Sequence, residues 1–306
     1  MTGAVGGSHL ALVGTTASGK SALALAWAQR AGDVEIVSVD SMQVYRGMAI
    51  GTASPSPADR ALVPHHLVDL VEPHVEFTVA DHQAAARAAI AEIEQRGRRA
   101  LLVGGTALHL RAIVDDLDLP GRYPHVRTEL EAEPDTAALH ERLTRHDPAA
   151  AGRIEPGNRR RILRALEVTL GGGRPFSSFG PGLDRHPPTT FRLIGLWLPR
   201  AVVRRRIEAR YRAQMAVGFL DEVRRLSDRP LGVGRTASQA LGYRELLAHL
   251  DGRCTRDEAL QRAIGRTRRF ARRQRMWFRR DPRIRWLAVA ADPAPLAEAA
   301  VLESVP

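Results

Sequence analysis

One stretch near the N-terminus, HLALVGTTASGKSALALAWAQRAG over residues 9–32, limits the possible folds more than anything else in the chain. HLALV (9–13) reads as a buried strand. SALALAWAQRAG has the Ala and Leu content of a helix, with Gly32 placed to cap its end. Between them GTTASGKS (14–21) matches G-x-x-x-x-G-K-[ST], the loop that cradles polyphosphates, in the required strand–loop–helix context. Gly14 and Gly19 let the loop turn tightly, so the main-chain donors of Thr15, Thr16, Ala17 and Ser18 can face phosphate oxygens. The helix N-terminus adds a favourable dipole. Lys20 is expected to neutralise phosphate charge and Ser21 to ligate Mg2+. Such a unit belongs to a parallel sheet covered by helices.

Further along, EIVSVD (35–40), HHLVDL (65–70) and RALLVGG (99–105) read as strands. A helix is predicted from Thr78 to Arg96, opened by a capping box of Thr78 with Asp81. Strands alternating with helices predict an α/β fold: a P-loop NTPase-like parallel sheet flanked by helices. Residues 115–188 break the rhythm. They are rich in charge, Pro and Gly and carry the helix-like pieces TAALHERLTRH and NRRRILRALEVTLGGG, which predicts a small helical insertion domain. FRLIGLWL (191–198) restores a strand, 201–280 reads as helical, and IRWLAV (284–289) adds a last strand. The core is thus expected over 1–114 and 189–290, with 291–306 a tail.

No apolar run approaches the ~18 residues a membrane helix needs, and the start lacks a basic segment ahead of an apolar one. Cys254 is the only cysteine, so neither an intrachain disulfide nor a cysteine zinc site is possible. A cytoplasmic location and a monomer are expected. The net charge of +11 draws polyanions, and it is concentrated: eleven arginines fall between Arg262 and Arg285 with Asp281 the only acid among them. Lys20 is the only lysine in the chain. A compact ammonium differs chemically from a guanidinium fork, so its place in the phosphate loop is informative.

A phosphate loop alone does not name a reaction. ATP-hydrolysing relatives hold magnesium through an acid at the end of an apolar strand, but RALLVGGT ends without one. The carboxylate lies instead after the second strand, at Asp40. There it can take a proton from a nucleophile brought near the loop, or merely cap its turn with Ser41.

Taken in order, GTTASGKS (14–21), DSMQVYRGMAIGTA (40–53), VPHHLVDLVEP (63–73), FTVAD (77–81), LLVGGTALHLRA (101–112), RRILRALEV (160–168), QALGYRE (239–245) and RTRRFARRQRMWFRR (266–280) resemble the bacterial tRNA dimethylallyltransferases, also called tRNA isopentenyl transferases. The resemblance implies that the loop holds the diphosphate of dimethylallyl diphosphate, with Arg210 as a further cation. It implies Asp40 as base and Thr106 as its hydrogen-bonding partner near the reacting atoms. The acceptor it implies is the N6 amine of the adenosine 3′ to the anticodon, turned out of its stack and received by Asp40, Ser41, Met42, Gln43 and Thr106. Contacts to the anticodon stem-loop fall by resemblance to Arg127, Arg160, Arg161 and Arg164 in the insertion, to Gln239, Gly242, Tyr243 and Arg244, and to Arg272, Arg273, Gln274, Arg275 and Trp277.

The chain departs from the family pattern at Thr15, Ser54, Ala107 and His109, none of them a proposed base. Both basic helices also read as amphipathic. Ile162, Ala165, Leu166 and Thr169 form one stripe, and Ile264, Thr267, Ala271, Gln274 and Phe278 another. The adjacent His65 and His66 point to opposite faces of a strand, which argues for packing or tRNA contact over zinc. Competing readings are an adenylate prenyltransferase with the same pocket, a P-loop small-molecule kinase, and a noncatalytic RNA-binding protein.

Overall fold

The computed structural model describes residues 9–180, 183 and 185–293. Strand β1 (Leu10–Gly14) runs fully buried into the phosphate loop, and α1 (Lys20–Ala31) leaves it, stopping at Gly32 with φ 72°. β2 (Val34–Ser38) is also buried throughout. The short α2 (Ala49–Thr52) and α3 (Pro57–Leu62) follow, α3 opened by a reciprocal cap of Ser56 and Asp59. β3 (His65–His66) is shorter than the 65–70 strand predicted, because Leu67 and Asp69 take positive φ and turn the chain away. It then pairs with a different segment: Asp69 N–H donates to Gln43 O (2.9 Å) and Leu70 N–H to Val44 O (2.7 Å). The apolar periodicity of HHLVDL could not reveal that competing partner.

Helix α4 (Val79–Gln95) starts at the predicted Thr78–Asp81 capping box, a device that contributes about 1 kcal/mol. β4 (Arg99–Gly104) and α5 (Ala107–Val114) follow. The intervening segment forms α6 (Pro124–Glu131), α7 (Thr136–His146), α8 (Pro148–Ala151) and α9 (Arg159–Gly172). β5 (Arg192–Trp197) then re-enters the sheet. The predicted helical region resolves into α10 (Arg200–Ala216), α11 (Phe219–Ser227), α12 (Tyr243–Leu250) and α13 (Arg256–Phe278), before β6 (Arg285–Ala288). Of the tail expected over 291–306, residues 294–306 lie outside the described residues.

The strands form one parallel sheet in the order β3-β2-β4-β1-β5-β6. Their side chains alternate between two cores, as a sheet covered on both faces requires. Leu10, Leu12, Ile36, Leu101, Val103 and Ile194 face one core with Leu23 and Trp27 of α1 and Ile207 of α10. Ala11, Val13, Val37, Leu102 and Leu193 face the other with Ala86 and Ile93 of α4 and Leu110 of α5.

The chain divides into two compact units, one up to Asp115 and from Pro188 onward, the other Asp116–Pro187. The second unit has its own core of Leu130, Leu139, Leu143, Ile162 and Leu166. Within it the buried Glu167 accepts from Tyr123 N–H at 3.0 Å and from Arg164 at 2.8 Å. Among the described residues no helix is long and apolar enough to cross a membrane.

Candidate active site

Parallel pairing brings the carboxyl ends of three neighbouring strands together, the place where open α/β sheets bind ligands. Val13 of β1 lies opposite Gly104 of β4, and Ser38 of β2 opposite Val103. The phosphate loop therefore follows one strand, Thr106 the next and Asp40 the third.

The loop is built to present donors. Gly19 sits at φ 89°, a conformation a side chain would strain, and α1 begins directly after it with no side-chain cap and no acid in its first turn. Its first amides are thus left for an anion. Ser18 N–H donates to Thr15 O (3.2 Å), tightening the turn, and Ser21 is exposed at the mouth. Arg210 reaches in from α10, donating from Nη1 to Thr16 Oγ1 at 3.0 Å. Burial pulls the Lys20 ammonium down to about 8, with Asp40 opposing that shift and Arg210 adding to it. Burial also lowers Arg210, which is raised in turn by Tyr211 and Asp40. Two desolvated cations and one carboxylate thus act on one another around an uncapped helix start.

Asp40 does cap its turn: Oδ1 accepts from Met42 N–H at 2.9 Å. The same turn reaches Thr106, whose Oγ1 accepts from Ser41 N–H at 3.3 Å. The carboxylate is half-buried and electrostatically felt at the loop, so the capping bond leaves it placed to face a ligand there as well. Ser41 and Met42 are half-buried beside it. Gln43 is committed inward: its Oε1 accepts from Ser38 Oγ–H (2.7 Å), and its Nε2 donates to Ala53 O (3.2 Å) and Thr52 O (3.4 Å). It braces the turn of the Asp40 strand more than it offers an edge to a base.

The arginine helix α13 separates its residues by face. Arg272 and Arg273 are exposed, whereas Gln274 and Arg275 are buried. Gln274 Oε1 accepts from Thr16 N–H (2.8 Å) and its Nε2 donates to Gly105 O (2.9 Å), tying the phosphate loop to the end of β4. Arg275 lies over the Trp197 ring at 4.2 Å and bonds Leu198 O. Both residues, which the resemblance gives to RNA, therefore face the interior here. Trp277 is half-buried, with the Arg111 guanidinium 5.9 Å from its ring.

Tyr243 is buried, its hydroxyl donating to Glu222 at 2.6 Å, and Gly242 is buried beside it. Gln239 and Arg244 are exposed. They line a cavity of ≈ 970 Å³ between α12 and α13, together with Arg253, Arg262, Arg266 and Arg269. This cavity lies apart from the phosphate loop, and five arginines stand in its lining beside Glu245, Leu247 and Ala248, with Arg266 paired to Glu245. In the second unit Arg160 and Arg161 are exposed, Arg164 is tied to Glu167, and Arg127 to Glu131 at 2.7 Å.

The two strand histidines each have a protein partner: His65 bonds Val63 O at 2.8 Å and His66 bonds Glu35 at 2.7 Å. Among the described residues there is no group of three or more side chains able to hold a metal by themselves. Magnesium nevertheless fits the loop, because it is commonly bound through one or two protein oxygens with substrate phosphates and water supplying the rest. Two buried polar residues were not singled out in the sequence. Glu222 and Gln214 sit on helices whose pattern makes an acid or amide look like ordinary surface, and only the fold buries them.

A family model described as IPP transferase matches residues 43–281. The chain is 48% identical to a tRNA dimethylallyltransferase of Kineococcus radiotolerans, over 97% of this chain and 96% of that one. It is 50% identical to one from a Nocardioides species, over 91% and 90%. Among solved structures it resembles a tRNA isopentenylpyrophosphate transferase from Bacillus halodurans, with TM-score 0.69 and 37% identity over 95% of this chain and 93% of that one. A eukaryotic dimethylallyltransferase acting on tRNA gives TM-score 0.75 at 21% identity, over 97% and 77%, a likeness of fold.

Proposed function

This chain belongs to the IPP transferase family, and from that membership we propose that it transfers a dimethylallyl group from dimethylallyl diphosphate to the exocyclic N6 of the adenosine 3′ to the anticodon in tRNA, releasing diphosphate. The observation that carries the proposal is the meeting of three strand ends, which places an uncapped, cation-lined phosphate loop beside Asp40 and Thr106.

In this reading the diphosphate lies on the loop amides between residues 14 and 21 other than those of Thr16, which donates to Gln274, and Ser18, which donates to Thr15 O, and it is opposed by Lys20 and Arg210. Their desolvation strengthens attraction to the negative charge that grows as the allylic C–O bond breaks. Ser21 would hold magnesium, which would supply further charge neutralisation there. The N6 lone pair forms the new C–N bond. Because it is delocalised into the adenine ring, loss of the N6 proton to Asp40 assists attack. Thr106, bonded to Ser41 N–H, holds the Asp40 turn against the end of β4.

A base within an anticodon loop reaches this point only when turned out of its stack. The exposed Arg272 and Arg273 on α13 support a polyanionic acceptor over free adenylate. The proposal is tested by mass spectrometry of nucleosides from tRNA incubated with the protein, magnesium and dimethylallyl diphosphate, with AMP as a parallel acceptor. N6-dimethylallyladenosine in tRNA is expected, and transfer to AMP alone would refute it. Asp40→Asn should lower turnover roughly 10²- to 10⁴-fold while donor binding persists.

A further inference from the structure

A buried carboxylate far from the reacting atoms in sequence has an unusual set of partners. Glu222 of α11 is 3% exposed, and four donors converge on it. Its Oε2 accepts from Ala49 N–H (3.0 Å) and Ile50 N–H (2.7 Å). Its Oε1 accepts from Gly51 N–H (3.1 Å) and the Tyr243 hydroxyl (2.6 Å). Burying a carboxylate is costly unless its lone pairs are satisfied, and charge-assisted bonds of this kind are the strong ones. Met48, at the N-cap of α2, supplies no side-chain cap to these amides.

The grip continues on the far side of the same turn, where Gln214 Nε2 donates to Ile50 O (2.6 Å) and Gly51 O (3.2 Å). Gly51 is pressed so closely that a Cβ there would lie 2.3 Å from the Phe219 ring and 2.4 Å from the Tyr243 ring. The carbonyls that end this turn, Thr52 O and Ala53 O, are the acceptors of Gln43 Nε2. Gln43 in turn accepts from Ser38 Oγ–H, and Ser38 Oγ accepts from Asp40 N–H at 3.3 Å. An unbroken chain of hydrogen bonds and peptide units thus runs from Glu222 to the backbone of Asp40. No part of it passes through the phosphate loop.

We propose that Glu222 is a positioning residue for the acceptor side of the site: by capping the Ala49–Gly51 amides it fixes the turn that braces Gln43 and, through Ser38, sets the backbone of Asp40. Its effect on catalysis rests on the proposed prenyl transfer; its effect on the Asp40 turn does not. Burial, followed by the Glu222 charge and hydrogen bond, pushes the Tyr243 phenol upward, so it stays a neutral donor to Glu222 at any working pH. The brace is therefore not a switch but a fixed strut.

The test is Glu222→Gln, which keeps the shape but aims an NH2 at backbone N–H groups. Amide hydrogen exchange is measured first, without substrates. Faster exchange is expected at Ala49–Gly51 and also at Asp40–Met42, with Thr16–Lys20 unaltered. Exchange confined to 49–51, or spread equally into the phosphate loop, overturns the proposal whether or not the chain proves to be a prenyltransferase. In kinetics with an anticodon stem-loop RNA, kcat should fall roughly 10- to 100-fold, the scale of about 1 Å of misplacement, while affinity for a thiodiphosphate analogue of the donor is unchanged. Unchanged kcat in a wild-type-active system also overturns it. Inactivity of the wild-type protein would refute the reaction, leaving the exchange pattern to judge the strut. Should Glu222→Gln not fold, Tyr243→Phe removes one donor and leaves the three amides capped. It must then show the same pattern, weaker, and its absence counts against the proposal.

Discussion

Lys20 is the residue whose charge state reads most directly on donor binding. Its ammonium is drawn down to about 8, first by burial, so it is protonated below that pH and neutral above it. A diphosphate gains from the charged form only, so affinity should fall as pH rises through about 8, approaching tenfold per unit at the limit. Calorimetric titration of pyrophosphate from about pH 7 to 9.5 measures this, with Lys20→Met as the control that lacks the fall. Identical pH dependence in both proteins would rule the charge out as the cause. At the same scale, α13 shows how a residue type can mislead. Gln274 stands in a run of arginines, and the resemblance gives it to RNA, yet its amide spans Thr16 and Gly105. The apolar stripe of α13 already contained Gln274, which was the sign that it faces inward. For Arg275, next to it, no such sign existed.

Helices α4 and α5 meet through two histidines. His82 is fully buried, and its ring stands edge-on to His109 with centroids 4.9 Å apart. Among the described residues neither His82 nitrogen has a hydrogen-bond partner, and burial, then the His109 charge, pulls its pKa down to about 3. Burial alone takes His109 to about 4. Both are therefore neutral in the folded chain at pH 7, while in the unfolded chain they take up protons below about 6.5. Because the unfolded state binds more protons in this window, stability falls as pH drops from about 6.5 toward 4, by about 3 kcal/mol from His82 at the lower end. Melting temperature against pH should be steeper for the natural chain than for His82→Phe; parallel curves would show that the ring is solvated after all. That the α4 helix exists was written in its Thr78–Asp81 box. That it would bury a histidine against α5 was not, since a polar residue on an amphipathic helix signals nothing until its neighbour is known.

For the molecule as a whole, a net charge of +11 predicts salt-sensitive RNA binding, and the fold decides which arginines carry it. Arg272 and Arg273 are exposed on α13, and Arg160 and Arg161 on α9, whereas Arg164, Arg127 and Arg275 already have partners within their own units. Exchanging Arg272 or Arg273 for Ala should weaken stem-loop affinity evenly across sequences and lower the log–log salt slope by roughly one each. Filter binding over a range of salt concentrations gives the slope, and an unaltered slope would remove these residues from the interface.

Local sequence determined the architecture because its signals are local. A strand, a glycine loop and a helix in immediate succession specify the phosphate cradle, and alternating apolar runs specify the parallel sheet around it. Asp40 stands out for a similar reason, two residues beyond the end of β2, and Lys20 because it lies inside the glycine-loop motif that follows β1; Thr106, two residues beyond β4, is singled out only by the family resemblance. What the tertiary structure alone decided depends on contacts between residues far apart in the chain. The Glu222 carboxylate finds amides 171–173 positions away, and Gln274 reaches a loop 258 residues earlier. Neither pattern has a period or a motif, because a single long-range hydrogen bond constrains only the two side chains or peptides that make it.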